Sequence, residues 1–226
     1  GMMATVDPGL LLGAERAEVA GHGRALVRDG LVVGSAGNLS ARAGDRVAIS
    51  PSGVGYDQVE PASVCVVDLA GRPVDGSAAP SSELPMHLAA YRATGAGAVV
   101  HTHSPFVTAL STVVEELPAI HYGIVELGGP IRVAPYATFG TEELAANLAR
   151  ALEGRRAAIL QSHGGLTWAE TLPRAYRAAV LLEWLAATYW RARLVGEPRI
   201  LTGPELEAVG ARFATAYGQP RPPTRG

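Results

Sequence analysis

Two histidines two residues apart, His101 and His103, end the β-branched run Val99-Val100-His101-Thr102-His103. Alternate side chains of a strand share a face, so both imidazoles point the same way and form half of a metal site. Gly97 and Pro105 punctuate the run and place the pair at the C-terminal end of a strand, where α/β sheets keep their ligands. The competing reading is a pair of ordinary surface histidines on an edge strand. His163 has a similar setting, since the apolar run Ala157-Ala158-Ile159-Leu160 leads into Gln161-Ser162-His163-Gly164-Gly165. Glu83, followed one helical turn later by His87, stands in Ser81-Ser82-Glu83-Leu84-Pro85-Met86-His87. Glu83 reads either as a functional carboxylate or as a first-turn glutamate complementing a helix dipole, and His87 as a core-facing histidine in preference to a ligand.

Three stretches suit an anion. Gly34-Ser35-Ala36-Gly37-Asn38 and Ser50-Pro51-Ser52-Gly53-Val54-Gly55 are small-residue loops whose backbone N–H groups can approach a phosphate closely. In the third, Ser82 reads as an N-cap and Pro85 as a first-turn residue, opening a helix whose unpaired N–H groups and dipole both favour negative charge.

The elements that must carry these residues alternate between strand and helix patterns, which is an α/β fold. A helix is expected from Leu10 to Leu31, stopped at Asp29-Gly30, then a strand out of the Gly34 loop and another over Arg46 to Ser50. Val64 to Asp68 and the segment around Val74 form a hairpin through Ala70-Gly71-Arg72. A helix over Phe106 to Val114 follows the histidine pair, then a strand over Ile131 to Pro135 and a helix capped by Thr141. Strands over Ala157 to Leu160 and Leu166 to Ala169 flank His163. The helix from Leu172 to Val195 is apolar nearly all round, Trp184 and Trp190 included, and is expected to bury against other helices or another subunit. A last helix runs from Pro204 to about Tyr217.

With 226 residues and 48% hydrophobic content the chain fits one domain, 1–226, with flexible ends at 1–8 and 218–226. A net charge of -2 argues against nucleic acid, and no apolar run approaches the roughly 18 residues of a membrane span. The single cysteine, Cys65, lies in an apolar run and reads as an inert core thiol; no cleavable signal pattern opens the chain, and a cytoplasmic protein is expected. All 19 basic residues are arginine. The absence of lysine excludes Schiff-base chemistry and the lysine of nucleotide-binding loops, so any carbonyl chemistry here needs a different electron sink.

The motifs Gly37-Asn38-Leu39-Ser40, Ser50-Pro51-Ser52-Gly53, Ser81-Ser82-Glu83, His101-Thr102-His103 and Gln161-Ser162-His163-Gly164, in this order over nearly the whole chain, resemble the class II aldolase/adducin family. Ala119-Ile120-His121-Tyr122 and Ala134-Pro135-Tyr136-Ala137-Thr138-Phe139-Gly140-Thr141 resemble the branch acting on L-fuculose 1-phosphate. The resemblance implies a three-layer α/β/α sandwich around a mixed sheet, in a cyclic homotetramer with active sites between subunits. It makes His101, His103 and His163 ligands of one Zn²⁺ per subunit, or of another divalent ion, with Glu83 a fourth ligand or the catalytic base. Asn38, Ser52, Gly53, Ser81 and Ser82 match the phosphate cradle, Tyr122 a neighbouring subunit's proton donor to the aldehyde oxygen, and Tyr217 a residue closing over the site. The implied reaction is reversible cleavage of a ketose 1-phosphate, L-fuculose 1-phosphate first among them, into dihydroxyacetone phosphate and L-lactaldehyde. Three neutral imidazoles leave zinc an open position, and without lysine the enediolate of an aldol cleavage calls for a Lewis acid. The alternatives are a pentulose-phosphate 4-epimerase or sugar-phosphate dehydratase of the same family, or a non-catalytic adducin-like oligomerisation module. Ser162, Gly165 and Trp168 depart from the family pattern beside the third histidine, where they bear on substrate preference.

Overall fold

The computed structural model describes residues 9–216; the expectations for 1–8, 218–226 and Tyr217 lie outside the described residues. Nine strands form one mixed sheet: β1 (Asn38–Ala43), β2 (Arg46–Ile49), β3 (Cys65–Asp68), β4 (Pro73–Asp75), β5 (Ala98–Thr102), β6 (Glu116–Leu117), β7 (Ile131–Ala134), β8 (Ala157–Leu160) and β9 (Gly164–Ala169). Their order is β4-β3-β2-β1-β5-β9-β8-β7-β6, antiparallel throughout except for the parallel pair β7 and β8. The strand carrying His101 is therefore the middle one of nine, which removes the edge-strand reading of the histidine pair.

Strand alternation sorts the sheet into two apolar faces. Val99, Ala158 and Leu160 face one core with Met86, Leu144 and Leu148 of α2 (Leu84–Ala93) and α4 (Glu142–Ala151). Ala98 and Val100 face another, with Val19 and Leu26 of α1 (Gly13–Arg28) and Ala175 and Ala179 of α5 (Leu172–Val195). A third cluster joins Ala157 and Ile159 to α5 and to Val107 and Leu110 of α3 (Pro105–Leu110). Helices thus cover both faces, as expected of an α/β/α sandwich. His101, two residues from Val99, falls on the α2 and α4 face, and so do Asn38 and Ser40, which alternate with the oppositely facing Leu39 and Ala41.

Three helix boundaries differ from expectation. The first helix starts at Gly13 instead of Leu10, and it stops as expected, with Asp29 capping it and Gly30 left-handed at φ 70°. Ser82 is not the N-cap of α2: Glu83 occupies that position and Pro85 the first turn, while the Ser81 hydroxyl accepts the Glu83 N–H at 3.2 Å. The third helix stops at Leu110 instead of Val114, and its first N–H groups are capped from another element, with Phe106 and Val107 donating at 2.9 Å to the two oxygens of Glu183 on α5. Thr141 caps α4 as expected, accepting from the Leu144 N–H. The long helix spans the expected Leu172–Val195, but Trp184 and Trp190 are 48% and 41% exposed, so the described residues leave that apolar face uncovered. The final helix is α6 (Gly203–Ala216). No helix among the described residues is long and apolar enough to cross a membrane.

Candidate metal centre and anion cradle

The site forms where β5 ends and where β9 and α2 begin. Antiparallel pairing of β5 with β9 sets Thr102 opposite Gly165 and carries His163, just before β9, alongside His103, just after β5. The approach is close. A Cβ on Gly164 would lie 2.2 Å from the Thr102 carbonyl oxygen and 3.3 Å from the His103 ring, so only glycine lets the two histidine segments meet. The rings of His101, His103 and His163 stand pairwise edge-on, with centroids 4.8–4.9 Å apart and interplanar angles of 73–89°.

Glu83 completes the group. Its Oε2 is 3.1 Å from His101 Nε2 and its Oε1 is 3.1 Å from His163 Nε2, while His101 and His103 bring their Nε2 atoms to 3.0 Å. One donor atom from each of the four residues lies within 4.8 Å of the rest. Ligands about 2.0–2.1 Å from a tetrahedral ion stand a little over 3 Å from one another, so the spacing fits a single cation. Two further observations support that fit. The His101 Nδ1–H donates to the Gly165 carbonyl at 2.9 Å, leaving the Nε2 lone pair to face the centre. Glu83 Oε1 is buried and makes no hydrogen bond, although His163 lies beside it off-line, which is the acceptor a cation would satisfy.

The electrostatics agree. Burial alone would raise the Glu83 carboxyl, but the neighbouring imidazoles of His101 and His163 outweigh it and hold the group well below the usual carboxylate range. Burial first, then the other two imidazoles, pushes His103 down to about 4, which keeps its nitrogen lone pair available near neutrality.

Beside the donors opens a cavity of about 480 Å³, lined by Asn38, Ser52, Gly53, Ser81 and Ser82 and also by Tyr136, Phe139 and Ser162. The five residues expected at a phosphate thus line one cavity. Its construction differs in one respect from a wall of free backbone amides. The Ser52 N–H is taken by the Ala79 carbonyl and the Ser81 N–H by the Ser50 carbonyl, which staples the two loops together. Among the cavity-lining residues, the N–H groups of Gly53, left-handed at φ 67°, and of Ser82 make no hydrogen bond, and Ser52 and Ser82 are exposed beside them. Asn38 belongs to both halves, because its Nδ2 donates to Glu83 Oε2 at 2.9 Å.

Tyr122 is not brought to this centre by its own chain. It is 51% exposed on a 3₁₀ turn (Tyr122–Leu127), stacked on His121 beside Trp184, and does not line the cavity. Sequence reasoning missed Tyr136 and Phe139 as site residues. Both are more than half exposed in the loop after β7. Two aromatics in a short stretch bounded by Pro135 and Gly140, without the periodicity that would bury them, were the available signal. His87 is a core-facing histidine, fully buried and outside the donor group, but its contacts reach the site.

Comparison with known proteins places these features among relatives. The model of the Class II Aldolase and Adducin N-terminal domain matches residues 17–190. A 5-deoxy-D-ribulose 1-phosphate aldolase of Bacillus thuringiensis serovar kurstaki is 38% identical over 213 residues, covering 93% of this chain and 100% of the relative. A 5-methylthioribulose-1-phosphate/5-deoxyribulose-1-phosphate aldolase of Rhodospirillum rubrum is 43% identical over 201 residues, 86% of this chain and 90% of the relative. A solved structure of an L-fuculose 1-phosphate aldolase superposes with a TM-score of 0.88 at 37% identity, covering 92% of this chain and all of that one.

Proposed function

The chain belongs to the class II aldolase and adducin family, and on that premise we propose that it cleaves a ketose 1-phosphate whose far end is a deoxygenated carbon. It is a metal-dependent sugar-phosphate lyase; the finer reading concerns which sugar and which residues. The observation that carries it is the convergence of three imidazoles and one carboxylate beside a cavity wall of serine hydroxyls and free backbone amides.

In this reading His101, His103, His163 and Glu83 hold one divalent ion, zinc first among the candidates. When bound, that ion supplies Lewis acidity to the oxygens of the enediolate left by cleavage. Ser52, Gly53, Ser81, Ser82 and Asn38 bind the 1-phosphate through hydroxyls and N–H groups, without a cationic side chain, and so fix the C1 end of the sugar. The bond between C3 and C4 breaks, its electron pair passes to C3 and the C2 carbonyl, and the C4 hydroxyl loses its proton as the aldehyde forms. Glu83, a carboxylate lining the cavity, takes up a proton equivalent to the one the C4 hydroxyl gives up and delivers it to C3, so dihydroxyacetone phosphate and the aldehyde form with no net proton gained or lost. Tyr122 exchanges the proton of the aldehyde oxygen from a neighbouring copy. Its exposure outside its own subunit's cavity supports that arrangement, as does the uncovered Trp184 beside it, and a homotetramer with sites between subunits supplies it.

L-fuculose 1-phosphate yields L-lactaldehyde by this route, and the likeness to an L-fuculose 1-phosphate aldolase supports it. A second reading is 5-deoxyribulose 1-phosphate, giving acetaldehyde, favoured by the relative matched over its full length. Both aldehydes end in a methyl group, which the aromatic rings of Phe139 and Tyr136 lining the cavity suit. A single buried cysteine and the lack of a membrane-crossing helix among the described residues accord with a cytoplasmic enzyme.

A panel of ketose 1-phosphates read by product mass tests this. Release of dihydroxyacetone phosphate with lactaldehyde or acetaldehyde is expected. Recovery of an epimeric or dehydrated sugar phosphate, with no triose phosphate released from any member, would overturn it.

A further inference from the structure

A chain of hydrogen bonds leaves the donor group and runs into the core. Asn38 Nδ2 donates to Glu83 Oε2 at 2.9 Å, and Asn38 Oδ1 lies 2.5 Å from His87 Nε2. His87 Nδ1 lies 2.7 Å from Ser40 Oγ, which in turn lies 2.7 Å from Tyr91 Oη. Apart from Glu83 and Asn38, which reach the cavity, these side chains are shut away from solvent; Ser40 and His87 are completely buried and Tyr91 is nearly so.

Such a chain has two self-consistent proton arrangements. In one, the amide of Asn38 turns its NH₂ toward Glu83 and its oxygen toward His87, so His87 must carry its proton on Nε2 and accept from Ser40 at Nδ1. In the other the amide is reversed, the imidazole protonates Nδ1, and Ser40 becomes the acceptor. Only the far end separates them, because the reversed amide would set its oxygen 2.9 Å from a carboxylate oxygen, two acceptors facing without a proton. A neutral imidazole has one proton to place, and complete burial pushes His87 down to about 3, so it has only one. The tautomer of His87 and the direction of the Asn38 amide are therefore a single choice.

We propose that His87 is a positioning residue which, through an Nε2–H donated to Asn38 Oδ1, fixes the Asn38 amide so that its NH₂ serves Glu83 and the anion-binding wall together. One Nδ2 hydrogen is committed to Glu83 and the other is left for the cavity. His87 touches neither substrate nor ion. It acts by removing the amide's freedom to flip, and Ser40 and Tyr91 supply the donors that keep Nδ1 unprotonated. The inference rests on the proposed roles of Glu83 and Asn38, but its tests do not require that the sugar has been named correctly.

Two-bond ¹H–¹⁵N correlation spectra of the zinc-loaded protein read the tautomer directly. A proton on Nε2 of His87 is expected, and a proton on Nδ1 overturns the proposal. Two variants then separate positioning from packing. In His87→Gln the side-chain amide can place an N–H where Nε2–H stood, whereas His87→Leu fills the space without a donor. Zinc affinity, measured by competition with a chromogenic chelator, is expected to fall about 10- to 100-fold in H87L and to be largely restored in H87Q. The ketose 1-phosphate KM should rise in H87L and recover in H87Q in parallel. The reverse ranking, H87L keeping affinity and H87Q losing it, would show that His87 merely packs. If H87L does not fold, the tautomer and the H87Q affinity still decide. If the protein cleaves no ketose 1-phosphate, tautomer and zinc affinity still read this inference apart from the functional one.

Discussion

Substituting Gly164 by alanine isolates the contact that brings the third histidine to the first two. The added Cβ would stand 2.2 Å from the Thr102 carbonyl oxygen, whereas contacts closer than 3.0 Å are essentially never tolerated, so the two segments must part by about 0.8 Å. The obstacle is backbone on a central strand and has no rotamer by which to yield. Coordination distances tolerate deviations of only about 0.2 Å, so a displacement of this size pulls His163 out of bonding range of an ion held by His101 and His103. Overpacking should cost about 1–3 kcal/mol of stability. Turnover should fall about a hundredfold, as expected when reacting groups are misplaced by nearly an ångström. Gly165→Ala is the control. Its Cβ would meet Val107 Cγ1 at 2.9 Å and Leu182 Cδ2 at 3.0 Å, the ends of side chains that can move, on the sheet face away from the donors. Both variants should melt earlier, but only Gly164→Ala should lose metal affinity in a chelator-competition assay. Equal metal affinity in the two would refute the claim that this close approach assembles the site.

Other perturbations follow from the same geometry. His87 is held at about 3 against an ordinary histidine value near 6.5, so between those pH values the unfolded chain binds the extra proton and stability falls as pH drops, by about 1.4 kcal/mol per unit. Chemical denaturation of metal-free protein from pH 6.5 to 4.5 should therefore show an acid limb about 2 kcal/mol shallower in His87→Gln, the slope being only half developed at the upper end, and parallel curves would contradict this. Ser162 holds φ 54° without being glycine, so Ser162→Gly should raise stability by about 0.5–1 kcal/mol after the entropy cost of glycine, seen as a higher melting temperature. Glu83→Gln should lower turnover at least about a hundredfold, measured by dihydroxyacetone phosphate release, since an amide cannot carry the proton. Tyr122→Phe and His163→Ala chains, each inactive alone, should regain up to about a quarter of wild-type activity when refolded together, provided the tyrosine acts across a subunit boundary. Absence of complementation would place Tyr122 elsewhere.

Local chemistry was legible in the sequence and long-range geometry was not. His101 and His103 are legible because strand periodicity alone puts them on one face, and α5 because its apolar run is long and continuous over Leu172–Val195. His163 could be tied to them only through resemblance, since nothing in a 60-residue separation says that β9 pairs with β5. The same limit hid the partnership of Asn38 with His87, 49 residues apart, which depends on β1 lying next to β5 and beneath α2. Ser82 was read as a cap from residue type, but the turn that closes on the Ser81 carbonyl starts α2 one residue later. The two-residue strand β6 was too short for any periodicity to register.

In the proposed function one divalent ion, held by His101, His103, His163 and Glu83, takes the charge left by carbon–carbon cleavage. The most direct test of this is the release of dihydroxyacetone phosphate from a cleaved ketose 1-phosphate by protein exhaustively stripped of metal, then titrated with zinc. Only background release is expected from the stripped protein, with full recovery at one ion per chain and no recovery in His163→Ala. Stripped protein that still releases the triose phosphate at its original rate would contradict it.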